Sequence, residues 1–174
     1  VAHPIFIGIH GNSEVGDSIV GLVYENIDIL CQSEPQVDYQ GCMAINCGDN
    51  NLVKDVTFDN IRIENIRQGS ILQVKVGYNS KYCTAPGRGV EDILFRNIRY
   101  YGYGGQEGIP HHEPSMSLIL GYDSRRTVRN VRFEGLRING RLIHDNMPGK
   151  PKWYKTSDMA NIYVNDHVDG LSFE

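Results

Sequence analysis

Four polar residues that could do chemistry follow or end short apolar segments of this sequence: His10, Asp49, Lys75 and Asp123. Two carboxylates can act as the acid and the base of a hydrolytic reaction. A lysine ammonium binds an anionic group as a point charge, and an imidazole carries a proton near neutral pH. Asp49, Asp123 and His10 are therefore predicted to be catalytic, and Lys75 is predicted to bind substrate. The alternative is that all four are solvated turn residues.

An amide and two tyrosines accompany these residues and are predicted to contact the same ligand. They are Asn46, Tyr78 and Tyr122. A tyrosine offers a flat apolar face with a polar tip, which suits stacking against a sugar. If successive coils stack in register, Asp49 and Asp123 lie two coils apart, about 9–10 Å. That separation is close to the roughly 6.5–9.5 Å of an inverting carboxylate pair.

Metal binding is a weaker hypothesis for two loops. The segment 109–114 contains His111, His112 and Glu113, whose side chains are of the kinds that bind zinc. Adjacent histidines in a strand point to opposite faces, so both reach one ion only in a bent loop. Asp49 lies in a Gly-Asp-Asn-Asn segment whose oxygens could bind calcium. An exposed loop is the favoured interpretation in both places, and no metal or cofactor is predicted.

The elements that position these residues are predicted by a motif that returns five times. Each copy alternates apolar and polar residues, the period of a half-buried strand. The copies begin at residues 19, 53, 90, 128 and 168, so consecutive starts lie 34, 37, 38 and 40 residues apart. Stacking of such repeats buries a continuous core. The sixth position of the motif is always aromatic: Tyr24, Phe58, Phe95, Phe133 and Phe173.

A corner is predicted two residues after the aromatic, where the first four copies have Asn26, Asn60, Asn97 and Gly135. Asn and Gly tolerate a left-handed backbone best, so each motif is interpreted as a short strand, a corner and a second strand. Stacked turns would align the amides into a hydrogen-bonded ladder. The alternative is that each Asn ends a hairpin strand.

A further short apolar strand lies between the motifs, for example Met43-Ala44-Ile45. The predicted fold class is therefore an all-β, right-handed parallel β-helix of about four to five coils, with three short strands per coil. Leucine-rich repeats would need a Leu-rich consensus and a period of roughly 20–29 residues, which this sequence lacks.

The 174 residues are interpreted as a single β-helix domain, 1–174, with a loop excursion over 142–158. The first residues are already a strand without a cap, which predicts the C-terminal part of a longer β-helix and self-association through the uncapped N-terminal coil. The net charge of −4 argues against nucleic acid as a partner. No apolar run approaches the roughly 20 residues of a membrane helix. The four cysteines have no zinc-ligand spacing and are expected to be core or turn residues.

Several strings resemble coils of pectin-active β-helix proteins of the pectin-lyase-like superfamily. HPIFIGIHGN, followed by YENIDIL, GCMAINCGDNN and VTFDNIRIEN, is similar to the later coils of bacterial polygalacturonase-like glycoside hydrolases. Ile9-His10-Gly11 resembles the Gly-His-Gly of that family, Gly48-Asp49-Asn50 its Gly-Asp-Asp, and Gln73-Val74-Lys75 its Arg-Ile-Lys.

The resemblance implies a secreted or periplasmic glycoside hydrolase that acts on an acidic plant glycan such as pectin, with the polysaccharide as its partner. The Asn-Thr-Asp segment and the Asp pair of the family would lie upstream of Val1. A non-catalytic carbohydrate-binding or structural β-helix that lacks the catalytic coils is therefore the alternative.

Overall fold

Parallel strands stack along one axis and wind the chain into a β-solenoid of about four turns. The computed structural model describes residues 3–36, 41–102 and 114–174. Two large sheets and one two-stranded sheet form the sides of the solenoid. The all-β parallel fold predicted from the repeat is confirmed.

Sheet A contains the short strands that lie between the motifs. Its strands, in spatial order, are β1 (Ile5–Ile7), β4 (Met43–Cys47), β7 (Leu72–Val76), β9 (Ser117–Leu120) and β13 (Ile162–Val164). All four pairings are parallel and bring equivalent residues of successive turns side by side. One inward column is Ile7, Ile45, Val74, Ile119 and Val164.

Sheet B contains the repeated motif. Its strands are β2 (Ser18–Ile29), β5 (Leu52–Ile63), β8 (Gly89–Tyr100), β10 (Val128–Glu134), β11 (Arg137–Ile138), β12 (Arg141–Leu142) and β14 (Val168–Phe173). The pairings between turns are parallel, whereas β11 and β12 form an antiparallel pair. Sheet C consists of β3 (Gln32–Ser33) and β6 (Ile66–Gln68).

Two columns of left-handed residues bend each long motif. The predicted column has φ between 51° and 74° and consists of Asn26, Asn60, Asn97 and Gly135. The other column lies five residues earlier, with φ between 55° and 75°, and consists of Gly21, Asp55, Asp92, Asn130 and Gly170. Each left-handed residue adds one residue to the strand between two inward side chains. Inward side chains are therefore three residues apart across such a residue and two residues apart elsewhere, as in Val53, Val56, Phe58 and Ile61.

The predicted amide ladder is present between the first two turns, whereas in the next turn the amide binds a carboxylate. Asn60 Nδ2 donates to Asn26 Oδ1 at 2.8 Å. In the next turn, Asn97 Nδ2 donates instead to Asp59 Oδ1 at 3.2 Å. Arg96 also donates to that carboxylate, at 2.7 Å, so an acid in the earlier turn binds both the amide and the guanidinium of the later turn.

The motif aromatics form one continuous stack through the core, as their spacing predicts. Ring centroids of successive members lie 5.4, 4.9, 4.9 and 4.7 Å apart, with interplanar angles of 13° or less. These distances match the spacing between parallel strands, so each ring packs on its equivalent in the next turn. Phe58, Phe95 and Phe133 are fully buried.

A segment that we call the C-terminal cover, residues 143–159, lies over the last turn. It ends in the short helix α1 (Thr156–Met159). Asp145 Oδ2 accepts the Phe173 N–H at 2.9 Å, and the Asp145 N–H donates to the Phe173 carbonyl at 2.9 Å. The excursion predicted over 142–158 thus overlaps a helical turn, and its Asp145 is hydrogen-bonded to the last strand. No helix among the described residues is long and apolar enough to span a membrane.

Candidate functional site

The candidate residues lie mainly at one edge of the solenoid, where sheet A strands lead into sheet B strands. We call this edge the A–B corner; it consists of residues 8–17, 48–51, 77–88, 121–127 and 165–167. Because equivalent strands stack in register, the corner residues of successive turns lie above one another along the axis. The order of strands in sheet A thus brings together residues that are far apart in sequence.

A cavity of about 380 Å³ opens at this corner across the first three turns. We call it the Asn46 cavity. Its volume falls within the roughly 300–1,000 Å³ range of ligand pockets. It is lined by Ile9, Asn46, Cys47, Lys75, Gly77, Tyr78, Asn79 and Ser80.

The amide of Asn46 is the most unusual group in this cavity. Strand alternation turns the flanking Ile45 and Cys47 into the core and Asn46 outward. Asn46 is nevertheless only 1% exposed, and neither its Nδ2 nor its Oδ1 has a hydrogen-bond partner among the described residues. An unpaired buried polar group typically costs about 1–3 kcal/mol. Such a group in a cavity offers a donor and an acceptor to a ligand.

Lys75 and Tyr78 provide the charged and aromatic parts of the same cavity. Lys75 is the register partner of Asn46 in the next turn, and its side chain is partly buried. Tyr78 follows two residues after the end of β7 and is 47% exposed. The structure therefore brings together Asn46, Lys75 and Tyr78, which are three of the four residues predicted to bind substrate.

The thiol of Cys47 is not a nucleophile in this setting. Burial raises its pKa to about 11, although hydrogen bonds to backbone groups oppose the shift. Its Sγ donates to the carbonyls of Asn51 at 3.0 Å and Gly89 at 3.4 Å. The protonated thiol thus lies in the core and holds the corner to sheet B.

Asp49 lies at the corner of the second turn but does not line the cavity. Its side chain is buried, with only 5% of the residue exposed. Oδ2 accepts the Gly11 N–H at 3.2 Å and Oδ1 accepts the Thr84 N–H at 2.7 Å. The carboxylate therefore joins the corners of the first and third turns, and any catalytic role must coexist with these two bonds.

His10 is exposed and lies in the first turn. Its ring meets that of Tyr82 edge to face, with centroids 5.8 Å apart. Its carbonyl accepts a hydrogen bond from Asn51 Nδ2 at 2.9 Å. Its imidazole lies next to Tyr82, and Ile9, one residue before it, lines the cavity. The predicted proton carrier is thus adjacent to the cavity without lining it.

Asp123 and Tyr122 belong to the corner of the fourth turn. Asp123 Oδ1 accepts the N–H groups of Arg125 and Arg126 at 2.9 and 2.8 Å, and Oδ2 pairs with the Arg126 guanidinium at 2.6 Å. The backbone hydrogen bonds, together with that guanidinium, lower the pKa of Asp123. Tyr122 is 45% exposed, and the Arg126 guanidinium lies 6.0 Å from its ring centre.

Asn79 and Ser80 are cavity residues that the sequence did not predict. They lie in the turn after β7, where Asn79 Oδ1 accepts the Lys81 N–H at 3.0 Å and the Asn79 carbonyl accepts the Cys83 N–H at 2.9 Å. An Asn followed by Ser and Lys is a recognisable turn signal. The sequence therefore indicated the turn, but not that the turn forms a wall of a cavity.

A larger groove, of about 530 Å³, lies on the outer face of sheet B. Two of its four charged side chains, those of Asp92 and Arg132, have partners inside the protein. Asp92 pairs with Lys54 at 3.4 Å and accepts from Asn130 Nδ2 at 2.9 Å. Arg132 pairs with Glu134 at 2.8 Å. Unlike the Asn46 cavity, this groove has, among the described residues, no buried side chain whose polar atoms lack hydrogen-bond partners.

The metal hypotheses find no further support in the part of the chain that is described. Within residues 3–36, 41–102 and 114–174, no three His, Cys, Asp or Glu side chains form a group that could hold an ion. His111, His112 and Glu113 lie outside the described residues. The four cysteines are unpaired, and three of them are buried.

Comparisons with models of known families, with curated proteins and with solved structures find no match to this chain. The geometry itself shows a parallel β-solenoid of about four turns. The polygalacturonase-like resemblance therefore stays a prediction from the sequence strings.

Proposed function

We propose that the Asn46 cavity binds a sugar unit of an acidic polysaccharide. The observation that carries the proposal is the Asn46 amide, which is buried in the cavity with both polar atoms unpartnered among the described residues. Neighbouring hydroxyl groups of a sugar can accept from Nδ2 and donate to Oδ1 at the same time. A ligand of this kind removes the cost of burying an unsatisfied amide.

Lys75 and Tyr78 narrow the ligand class to an anionic sugar. An ammonium group beside the amide favours a ligand with a carboxylate. A half-exposed tyrosine ring offers an apolar face for a sugar ring and a hydroxyl for one of its polar groups. The combination of amide, cation and aromatic ring fits a uronate unit better than a neutral apolar molecule.

Binding and charge are tested by a Lys75→Ala variant. Titration calorimetry with galacturonic acid oligosaccharides and with neutral galactose oligosaccharides should show a larger loss of affinity for the anionic ligand. The difference should shrink with added salt, because charge interactions are screened over about 10 Å at 0.1 M ionic strength. The matched control is Lys54→Ala, which removes another partly buried cation, from sheet B. Equal losses for both ligands would assign Lys75 to the fold.

Hydrolysis of the bound glycan, as in polygalacturonase-like enzymes acting outside the cytoplasm, is the second proposal. It is supported by the placement of His10, Asp49 and Asp123 in the corner at which the cavity opens. An inverting mechanism needs one protonated acid and one ionised base. The lowered pKa of Asp123 suits the base, not the acid.

Reducing-sugar release from polygalacturonate distinguishes hydrolysis from binding alone. Release by the wild-type chain and its loss in Asp49→Asn and Asp123→Asn would support hydrolysis. Binding without any release would leave the non-catalytic carbohydrate-binding function for this chain.

A further inference from the structure

A second cavity at the A–B corner lies between the C-terminal cover and the last turn. Its volume is about 440 Å³. We call it the cover cavity. The cover contributes polar and charged residues to its wall, while the last turn contributes Val164, Asn165, Asp166, Val168, Leu171 and Phe173.

Cations dominate the charged lining of the cover cavity. Lys150, Lys152 and Lys155 face Asp145 and Asp166. Both oxygens of Asp145 are engaged inside the protein, by the Thr156 hydroxyl at 2.5 Å and by the Phe173 N–H at 2.9 Å. Three lysines and two aspartates nevertheless leave the lining with a formal charge of +1, which suits an anionic ligand.

An exposed aromatic residue adjoins these lysines. Trp153, the only tryptophan of the chain, is 80% exposed. Its ring meets that of Tyr154, which lines the cavity, edge to face at a centroid distance of 5.7 Å. A large apolar ring among cations is suited to stack on the face of a charged sugar.

The two cavities lie along the same edge of the solenoid. Asn165, in the fifth corner, exchanges hydrogen bonds with Gly121 of the fourth, at 2.8 and 3.1 Å. Two turns separate Lys75 from Asn165, about 10 Å at the spacing of parallel strands. The half-exposed ring of Tyr122 lies in the corner between them.

We propose that one acidic glycan chain spans both cavities, with one unit at Asn46 and Lys75 and a later unit at the lysines of the cover cavity. This inference rests on the proposed function of the Asn46 cavity. Joining two sites by one chain makes the second binding step intramolecular, so affinity rises with ligand length. Tyr122 is the contact between the two sites, which gives that predicted substrate-binding residue a place in the fourth turn.

The test compares a disaccharide and a long oligosaccharide of galacturonic acid at constant ionic strength. The wild-type chain should bind the long ligand at least about tenfold more tightly per molecule than the disaccharide. A Lys152→Ala/Lys155→Ala variant should lose that gain and keep the affinity for the disaccharide. The matched control is Arg67→Ala/Arg99→Ala, which removes two exposed cations from other faces and should keep the gain.

Each result decides the inference. The proposal that one glycan spans both cavities would be wrong if the wild-type chain bound the two ligands with equal affinity. It would also be wrong if the double lysine variant kept the length-dependent gain. Either result would still allow binding at the Asn46 cavity. Absence of binding for both ligands would overturn the proposed function and this inference with it.

Discussion

The two ends of the solenoid leave the aromatic stack in different environments. At the C-terminal end, Phe173 is 4% exposed, and its backbone N–H donates to Asp145 of the cover. At the N-terminal end, Tyr24 is only partly buried, and β2 pairs with β5 alone among the described strands. Val20 and Val23 of β2 are 53% and 62% exposed. Among the described residues, the last turn is therefore bonded to the cover, whereas β2, which we call the open end, has one unpaired edge.

The charges of the two ends differ as well. Residues 1–53 contain no lysine or arginine, whereas the cover contains Lys150, Lys152 and Lys155. Three arginines of sheet B form ion pairs with an acid of the turn before them, as in Arg62 with Asp28 and Arg96 with Asp59. Among the described residues, the first turn thus presents acids and an unpaired strand edge, which can serve as a template for pairing.

The largest expected effect comes from the middle of the aromatic stack. Phe95→Ala should lower the free energy of unfolding by about 3–5 kcal/mol, because the ring is fully buried between two others. Tyr24→Ala, at the open end, should cost less than half of that. Urea denaturation measures both. A loss below about 1 kcal/mol for Phe95→Ala would contradict the inward register.

Removal of the cover contact makes the two ends more alike. Asp145→Ala breaks the bonds to the Phe173 N–H and the Thr156 hydroxyl, and should cost about 1–2 kcal/mol. Hydrogen exchange should rise in β14 and remain unchanged in β5. Glu14→Ala, an exposed acid of the first turn, is the control and should change stability by less than about 0.5 kcal/mol. Equal effects of the two variants would show that the cover does not stabilise the last turn.

The open end should support self-association through β2. Sedimentation velocity at rising concentration should show a reversible oligomer. Added salt should strengthen it, because it screens repulsion between the acids of the first turn. A Val20→Lys/Val23→Lys variant, with charges on the exposed face of the edge strand, should shift the equilibrium toward the monomer. A monomer at every concentration and salt level would argue that the open edge is not adhesive.

Acid should loosen the open end by a smaller amount. The bidentate hydrogen bonds from Arg62 lower the pKa of Asp28 below its usual 3.8. The contribution of this pair is therefore complete above that value and is lost as the pH falls through the lowered pKa. Stability should decline as the pH falls below the usual carboxylate value of 3.8, and Asp28→Asn should reduce the slope. An unchanged slope in that variant would show that the pair does not join the first two turns in solution.

Most of the fold could be predicted because its signals are local and repeated. The aromatic column and the Asn26–Gly135 corner follow directly from the register of the motif. The second left-handed column was missed although its signal was present, since the third motif position is always Gly, Asp or Asn. The alternation of apolar and polar residues fails at that position. Two inward apolar residues that are three positions apart, instead of two, indicate a left-handed residue between them.

The site was less predictable because its contacts join distant corners. The carboxylate of Asp49 suggests a catalytic role, yet its partners Gly11 and Thr84 lie 38 and 35 residues away in sequence. Nothing local indicates that these N–H groups converge on it. Asn46 and Lys75 are easier to predict as neighbours, because they occupy equivalent positions in adjacent turns of the repeat.

The central claim is that Asn46 is buried for a ligand and not for the fold. Asn46→Leu keeps the size of the side chain and removes the unpaired amide, so the free energy of unfolding should stay equal or rise. Calorimetric titration with a galacturonic acid disaccharide should show loss of binding in the same variant, whereas Gln68→Ala, an exposed amide in sheet C, should bind as the wild type does. A stable Asn46→Leu protein that no longer binds is the predicted result. A destabilised protein, or one that binds with unchanged affinity, would contradict the account.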